Sequence, residues 1–174
     1  MHKTWHSWKK GGLLGEINQA IAEGRTISIP DEATELLGKS QELSRKSEYL
    51  FNPGIGKLVS LWGFHGEEWS GPPPSQADIT HLLSTAPSMD NLQLQDGDIQ
   101  SDNQDLKIDL GGIAKGYAID RAIAQLKKLG INNAIINTGG DLRAIGDRGE
   151  RSWNIGIRDP NDNNPVAALQ PRGD

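Results

Sequence analysis

A glycine-rich segment of the chain reads Lys107-Ile-Asp-Leu-Gly-Gly-Ile-Ala-Lys-Gly-Tyr-Ala-Ile-Asp120, and Asn133-Ala-Ile-Ile-Asn-Thr-Gly-Gly-Asp-Leu-Arg143 follows it. It predicts a strand, a glycine turn and a helix, then a second strand and a second glycine turn. Paired glycines between a strand and a helix let the main chain approach a ligand closely, and the first N–H groups of the helix are unpaired there. The pattern therefore favours a ligand that carries phosphate or pyrophosphate.

Hydrophobic periodicity predicts four helices around this stretch. Apolar residues share one face in four segments, residues 13–23, 31–46, 75–83 and 114–129. Gly24 and Gly130 follow two of these segments, as is usual at helix C-termini, and Asp31 and Ser75 are expected to cap the other two. Residues 51–64 contain Gly54 and Gly56 near their start and predict an irregular turn that leads into a short helical or extended piece.

Alternation of apolar and polar residues predicts half-buried strands in the second half of the chain. The alternating apolar positions are Leu92, Leu94, Ile99, Leu106, Ile108 and Leu110. Asp96-Gly97 is a favourable hairpin turn. Buried strands are predicted at residues 134–136 and 153–157, and the tail around residues 161–164 is polar and low in complexity.

Composition excludes several classes of function. The 174 residues are 35% hydrophobic and 24% charged with a net charge of −5, and no basic stripe of the kind that binds nucleic acid is present. No apolar run approaches the roughly 20 residues that span a bilayer, and the N-terminus lacks an apolar signal core. The absence of cysteine rules out disulfides and thiolate metal sites.

Three motifs together resemble those of the ApbE family, the FAD:protein FMN transferases. They are Asp109-Leu-Gly-Gly-Ile-Ala-Lys-Gly-Tyr-Ala-Ile-Asp120, Thr138-Gly-Gly-Asp-Leu-Arg143 and Phe51-Asn-Pro-Gly-Ile-Gly-Lys-Leu-Val-Ser-Leu-Trp-Gly-Phe64. The resemblance implies an α/β (α+β), T-fold-related domain with a mainly antiparallel sheet flanked by helices. It also implies that residues 1–174 form a single such domain, incomplete at its C-terminus.

The resemblance implies a magnesium-dependent transfer of FMN from FAD to a threonine or serine hydroxyl of an acceptor flavoprotein, with release of AMP. An FAD pyrophosphatase and a non-catalytic FAD-binding module remain alternatives. The family's later acidic metal motif lies beyond the C-terminal residue of this sequence, so we expect the chain alone to be impaired in catalysis and assign it no catalytic residue. Relatives are commonly exported, which implies a periplasmic or membrane-anchored protein if a leader is present.

The resemblance also assigns ligands in the glycine-rich stretch. It implies that Asp109 and Lys115 contact FAD and that the main-chain carbonyl of Gly112 binds Mg²⁺. Asp109 could instead only cap the turn, Lys115 could be a solvated lysine, and the glycine pair could serve tight packing alone. Asp120 is expected to form a structural ion pair or hydrogen bond.

Two further segments match family positions that approach FAD. Tyr49, Leu50 and Phe51 match the flavin pocket, and core packing is the alternative. Ser7 and Trp8 match a stretch that also contacts FAD. Asn52 replaces a usual aspartate and Lys57 a usual proline, so the local turn is the part of the resemblance most open to change.

Overall fold

A computed structural model of the chain describes residues 11–64, 71–149, 151–162 and 164–171. Its contacts divide the chain into two compact units, of which the first extends to Ala114 and the second begins at Lys115. Ser7 and Trp8 lie outside the described residues. The expectation of a single domain stays a prediction.

The first unit contains four helices and three strands among its described residues. In chain order they are α1 (Leu13–Ala22), β1 (Ile27–Ser28), α2 (Asp31–Lys46), α3 (Gly56–Leu61), α4 (Gln76–Ser84), β2 (Leu92–Gln95) and β3 (Asp98–Ser101), with a 3₁₀ turn at Met89–Asn91. The predicted helices are confirmed, and the hydroxyl of Ser75 accepts from the N–H of Asp78 at 3.1 Å as the expected cap of α4.

The expected capping role of Asp31 is wrong. Pro30 occupies the N-cap position of α2 with ψ 152°, no side chain caps the helix, and Asp31 is its first helical residue. A carboxylate in the first turn still favours the helix, because the positive end of the helix dipole lies there.

The three strands form one antiparallel sheet in the order β1-β3-β2. Leu94 pairs with Ile99 across the β2–β3 hairpin, and Ile27 pairs with Ile99 from the other side. Asp96 and Gly97 close the hairpin with φ of 52° and 83°, which confirms the predicted turn. One side of α1 and one side of α2 contribute to the core, whose fully buried large side chains include Leu14, Ile17, Ile21, Leu36, Leu37, Met89, Ile99, Leu106, Ile108 and Leu110.

The segment from Leu106 to Leu110 is extended but is not a strand of the sheet. Its burial alternates as predicted, with Leu106, Ile108 and Leu110 buried. Its main chain makes a single bridge, a parallel one between Ile55 and Lys107. The N–H and the C=O of Ile108 instead bond to the side-chain amide of Asn18, at 2.7 and 2.9 Å. A side chain of α1 thus takes the place of a neighbouring strand.

The second unit contains α5 (Ala114–Lys128), β4 (Ala134–Thr138), β5 (Asp141–Ile145), β6 (Ile155–Arg158) and β7 (Pro165–Leu169). The strands pair as two antiparallel hairpins, β4–β5 and β6–β7. Ile119, Ile123 and Ile145 form the buried cluster of this unit, with Leu126, Ala134 and Ile136 packed against it. The polar tail did not predict β7, which is exposed along its whole length. None of the described helices combines the length and apolar character that crossing a bilayer requires.

Candidate functional site

Two of the sequence motifs lie side by side in the first unit. The N–H of Asp109 donates to the carbonyl of Pro53 at 2.8 Å, and the N–H of Gly56 donates to the carbonyl of Lys107 at 2.7 Å. A Cβ atom on Gly56 would lie 2.6 Å from that carbonyl oxygen. Glycine is therefore required at position 56 by the close approach of the two segments.

The two departures from the family pattern fit this arrangement. The side-chain oxygen of Asn52 accepts from the N–H of Gly54 at 2.9 Å, and its amide nitrogen donates to the carbonyl of Pro87 at 3.0 Å. An aspartate could make only the first of these bonds, because an ionised carboxylate has no donor. Lys57 forms an ion pair with Asp105. The turn is well formed with the residues that this chain carries.

Asp109 combines a structural contact with an unused acceptor. Its Oδ1 accepts from the N–H of Gly111 at 2.7 Å, which is the turn-capping role considered as the alternative. Its Oδ2 is buried and has no hydrogen-bond partner among the residues that the structure describes. A buried acceptor left unpaired costs about 1–3 kcal/mol, and a ligand donor or a cation would relieve this cost. The same carboxylate can therefore cap the turn with Oδ1 and bind a ligand with Oδ2.

The glycine pair at the end of this segment is open to solvent. Gly111 and Gly112 are both exposed. The ring of Phe51 approaches Gly112 so closely that a Cβ atom there would lie 3.4 Å from the ring. The structure thus brings Phe51 from one motif beside Gly112 from another, and the corner is not sealed by packed side chains.

Tyr49 and Leu50 are not core residues. Tyr49 is 46% exposed and Leu50 is 94% exposed, so the core-packing alternative is wrong for both. Glu48 and Tyr49 have φ of 53° and 64°, the left-handed region that residues other than glycine rarely adopt. Each such residue costs on the order of 1–3 kcal/mol and persists only where surrounding contacts fix it, often at functional sites.

The fixing contacts of this loop include one that the sequence did not predict. The hydroxyl of Tyr49 donates to the carboxylate of Asp90, which also accepts from Nε of Arg45 at 2.7 Å. The hydrogen bond from Tyr49 holds the pKa of Asp90 below its usual value, with a smaller contribution from Arg45. The same bond raises the pKa of Tyr49.

Lys115 lies in the first turn of α5, in the second unit. Its Nζ forms an ion pair with Oδ2 of Asp141 at 2.8 Å, and each side chain is 50% exposed. Asp141 follows the second glycine turn, where Gly139 and Gly140 have φ of 62° and 100°. Lys115 is therefore half-exposed but paired, and no sequence pattern predicted Asp141 as its partner. Asp120 forms an ion pair with Arg143 at 2.5 Å, as expected.

No group of three or more His, Cys, Asp or Glu side chains able to hold a metal ion occurs among the residues that the structure describes. The oxygen atoms near the glycine pair include the Gly112 carbonyl and Oδ2 of Asp109, which has no hydrogen-bond partner among the described residues. Both are oxygen ligands of the type that Mg²⁺ prefers, but Mg²⁺ takes about six ligands. They could supply part of a coordination shell that substrate phosphates and water complete.

Comparison with known proteins adds three kinds of finding. The model of the ApbE family matches residues 1–173. A protein of Rhodobacter capsulatus named FAD:protein FMN transferase is 37% identical over 172 residues, which are 99% of this chain and 33% of that protein. A protein of the same name from Klebsiella pneumoniae (strain 342) is 32% identical over 148 residues, covering 83% of this chain and 44% of its own.

Solved structures match over nearly the whole chain. The ApbE protein of Thermotoga maritima superposes with a TM-score of 0.87 at 27% identity, covering 98% of this chain and 55% of its own. The flavinyl transferase ApbE of Pseudomonas stutzeri, in its apo form, superposes with a TM-score of 0.79 at 25% identity, covering 97% and 53%. The predicted mixed fold with antiparallel sheets is confirmed, and the chain spans between a third and a little over half of these relatives.

Proposed function

Because the chain belongs to the ApbE family, we propose that it binds FAD and takes part in transferring FMN from FAD to a hydroxyl group of an acceptor flavoprotein. The relatives named FAD:protein FMN transferase support this assignment. The chain covers 33% and 44% of those two proteins, so their complete reaction is carried over to it as a proposal.

The observation that carries the proposal is the corner formed by Asp109, Gly112 and Phe51. A buried carboxylate oxygen without a partner among the described residues adjoins a solvent-exposed glycine pair, and the ring of Phe51 would lie 3.4 Å from a Cβ atom placed on Gly112. A dinucleotide carrying a flat heterocycle and a pyrophosphate has the matching groups: polar nucleotide atoms for the carboxylate and a ring for the aromatic side chain.

The remaining predicted residues have compatible roles. Tyr49 and Leu50 offer exposed aromatic and apolar surface to the flavin ring. Lys115 offers a cation for the anionic part of FAD, and an ion pair as exposed as Lys115–Asp141 is worth only about 0–1 kcal/mol, so an anionic ligand can compete with Asp141. Ser7 and Trp8 are proposed as further FAD contacts on the family resemblance alone.

The oxygen donors present are suited to Mg²⁺, and we assign the Gly112 carbonyl to it. When bound, the cation would neutralise negative charge on the pyrophosphate as the phosphorus–oxygen bond to AMP breaks. The residues of this chain would bind and orient FAD. The acceptor hydroxyl oxygen would then bond to the FMN phosphorus, AMP would leave with the former bridging oxygen, and the hydroxyl proton would pass to solvent or to a base.

The test is a titration of the chain with FAD in the presence and absence of Mg²⁺, followed by the quenching of flavin fluorescence. We expect saturable binding that Asp109→Asn weakens about ten-fold or more, since bonds to charged groups are worth about 1.5–3 kcal/mol. Asp102→Asn is the matched control, because Asp102 is exposed and lies on the surface next to β3. Absence of binding to the unmodified chain would refute the proposed function.

Product analysis separates a transferase, a pyrophosphatase and a non-catalytic binding module. A mass increase of one FMN on an acceptor peptide, with AMP released, identifies a transferase. Free FMN and AMP without modified peptide identify an FAD pyrophosphatase. Bound FAD with no AMP identifies a binding module that does not turn over.

A further inference from the structure

The loop that carries Tyr49 and Phe51 is held by a residue that none of the three motifs contains. We propose that Asp90 is a positioning residue that fixes the phenol ring of Tyr49 for contact with the flavin, with Arg45 as its second partner. This inference rests on the FAD binding proposed above. It assigns to the 3₁₀ turn Met89–Asn91 a part in ligand recognition.

Asp90 is well placed to be a fixed acceptor. Its carboxylate bonds to the hydroxyl of Tyr49 with one oxygen and to Nε of Arg45 with the other. Its own main chain is fixed as well, because its N–H donates to the hydroxyl of Ser88, and the N–H of Ser88 donates to the side chain of Asn91 at 2.9 Å. The main chain that carries the carboxylate thus belongs to a closed capping arrangement between Ser88 and Asn91.

The 3₁₀ turn is in turn anchored to the core and to α2. The side chain of Met89 is completely buried. The amide nitrogen of Gln41, on α2, donates to the carbonyl of Met89 at 2.9 Å and to that of Leu92 at 2.6 Å. Arg45 lies one turn further along the same helix. Both partners of the Asp90 carboxylate and the turn that carries it are therefore tied to one rigid element.

Tyr49 is held at both ends while much of its surface stays open. Its N–H donates to the carbonyl of Ser44 at 2.8 Å, and the N–H of Phe51 donates to the hydroxyl of Ser47 at 3.0 Å. The left-handed conformation of Glu48 and Tyr49 places the ring outside the helix, and the Asp90 bond restrains its far end. A restrained aromatic surface binds a flat ring better than a mobile one, because less conformational freedom is lost on binding.

If Asp90 had only a structural role, replacing it would not change the FAD affinity of the folded protein. Exposed ion pairs and hydrogen bonds of this kind contribute little to stability, so a loss of FAD affinity without a loss of folding would show that Asp90 affects ligand binding. The decisive measurement is whether the effects of changing Asp90 and Tyr49 on FAD affinity are independent.

The experiment is a double-mutant cycle with Asp90→Ala, Tyr49→Phe and the double variant, each titrated with FAD. We expect each single variant to weaken binding about five-fold and the double variant to weaken it about five-fold as well, instead of about twenty-five-fold, because both changes remove the same contact. Glu42→Gln is the matched control: it removes an exposed carboxylate with two ion-pair partners, Lys39 and Lys46, and should leave FAD affinity unchanged.

A spectroscopic measurement checks the contact itself. The chain has two tyrosines, so in a Tyr117→Phe background the phenolate absorbance reports Tyr49 alone. We expect the pKa of Tyr49 to lie above 10.0 and to fall towards it when Asp90 is replaced by alanine. An unchanged pKa would overturn the proposal.

The outcomes separate the two proposals. If the unmodified chain does not bind FAD, the proposed function fails and the role of Asp90 falls with it. If the chain binds FAD but the two effects are additive, or Asp90→Ala leaves affinity unchanged, only the positioning role is overturned. Circular dichroism establishes that each variant is folded, and Asp90→Leu, which also lacks an acceptor for the Tyr49 hydroxyl, replaces Asp90→Ala in the same cycle if the alanine variant does not fold.

Discussion

At the scale of single residues, several side chains make contacts that the motifs containing them do not predict. Asp109 closes its turn with one oxygen and leaves the other buried and unpaired. Asn52 replaces an aspartate and gains a bond to the Pro87 carbonyl. Such double use is visible only when spatial neighbours are known, because Pro87 is 35 residues away from Asn52.

Gly56 offers a direct test of the packing between the two motifs. Gly56→Ala would place a Cβ atom 2.6 Å from the main-chain oxygen of Lys107, so the segments must separate. We expect a loss of about 1–3 kcal/mol in the free energy of unfolding, measured by urea denaturation.

The matched control is Gly116→Ala in α5, where an added Cβ meets nothing within 4 Å. Alanine is the better helix former, so this change should be neutral or stabilise the protein by up to about 1 kcal/mol. Equal effects of the two substitutions would show that the close approach at Gly56 does not exist in solution.

The candidate site could be predicted from the sequence only in part. The motifs pointed to Asp109, Gly112 and Phe51, and the structure places these near one another. The sequence pattern did not decide whether Tyr49 and Leu50 are core or surface residues, because aromatic and apolar side chains suit both. It gave no signal for Asp90, since a carboxylate in a surface turn is common and its partner lies 41 residues away.

At the scale of elements, local signals predicted the helices well and the strands less well. Helices depend on neighbours three and four residues apart, so periodicity and terminal glycines locate them. The segment 106–110 alternates like a strand, yet its partner is the side chain of Asn18, 90 residues away from Ile108. Burial could be predicted from alternation, but the identity of the hydrogen-bonding partner could not.

Asn18 is therefore expected to be intolerant of aspartate. Asn18→Asp keeps an acceptor for the N–H of Ile108 but removes the donor to its carbonyl and sets two oxygens against each other. We expect a loss of about 1–3 kcal/mol in unfolding free energy and faster hydrogen exchange at the Ile108 amide.

Gln19→Glu is the control for Asn18, since it makes the same chemical change at the next position of α1, where the side chain is exposed. Only a small change is expected there. If exchange at Ile108 is the same in both variants, the amide of Asn18 does not complete this segment.

The α2 helix carries an electrostatic contact that depends on pH. Glu42 bonds to Lys46 and Lys39, which lower its pKa from 4.5 to about 2. Because the pKa is depressed, the contribution of Glu42 to stability is present above pH 4.5 and is lost as the pH falls towards about 2.

Titration of the Glu42 carboxyl by NMR checks this expectation. The pKa of Glu42 should rise when Lys46 is replaced by alanine, and it should rise in concentrated salt because the pair is exposed to solvent and therefore screened. A Glu42 pKa that is the same in both proteins would contradict the assignment of Lys46 as the main cause.

At the scale of the whole molecule, each compact unit has its own buried residues. The second unit depends on a small cluster around Ile119, Ile123 and Ile145. Trp153 adds a hydrogen bond from its indole N–H to the carbonyl of Ile145 at 3.2 Å. A cluster of this size is sensitive to loss of any one member.

Ile145→Ala should lower the stability of this unit by about 2–5 kcal/mol, because it removes three buried carbons from a tightly packed cluster. The expected readout is loss of hydrogen-exchange protection in α5, β4 and β5. Ile157→Ala is the same chemical change at a side chain that is 43% exposed, and it should alter stability by about 0.5 kcal/mol or less. Comparable losses from the two changes would contradict the position of the core.

The β6–β7 ribbon has a practical consequence for work with the purified chain. The pairing register puts Ile157 and Ala167 side by side, with Ile155 and Leu169 beside each other on the same face. Ile157, Val166 and Leu169 remain largely exposed. Exposed apolar strands are common sites of aggregation. We therefore expect aggregation of concentrated samples to begin at this ribbon and to lower the measured flavin fluorescence by light scattering. The titrations described above should use dilute protein.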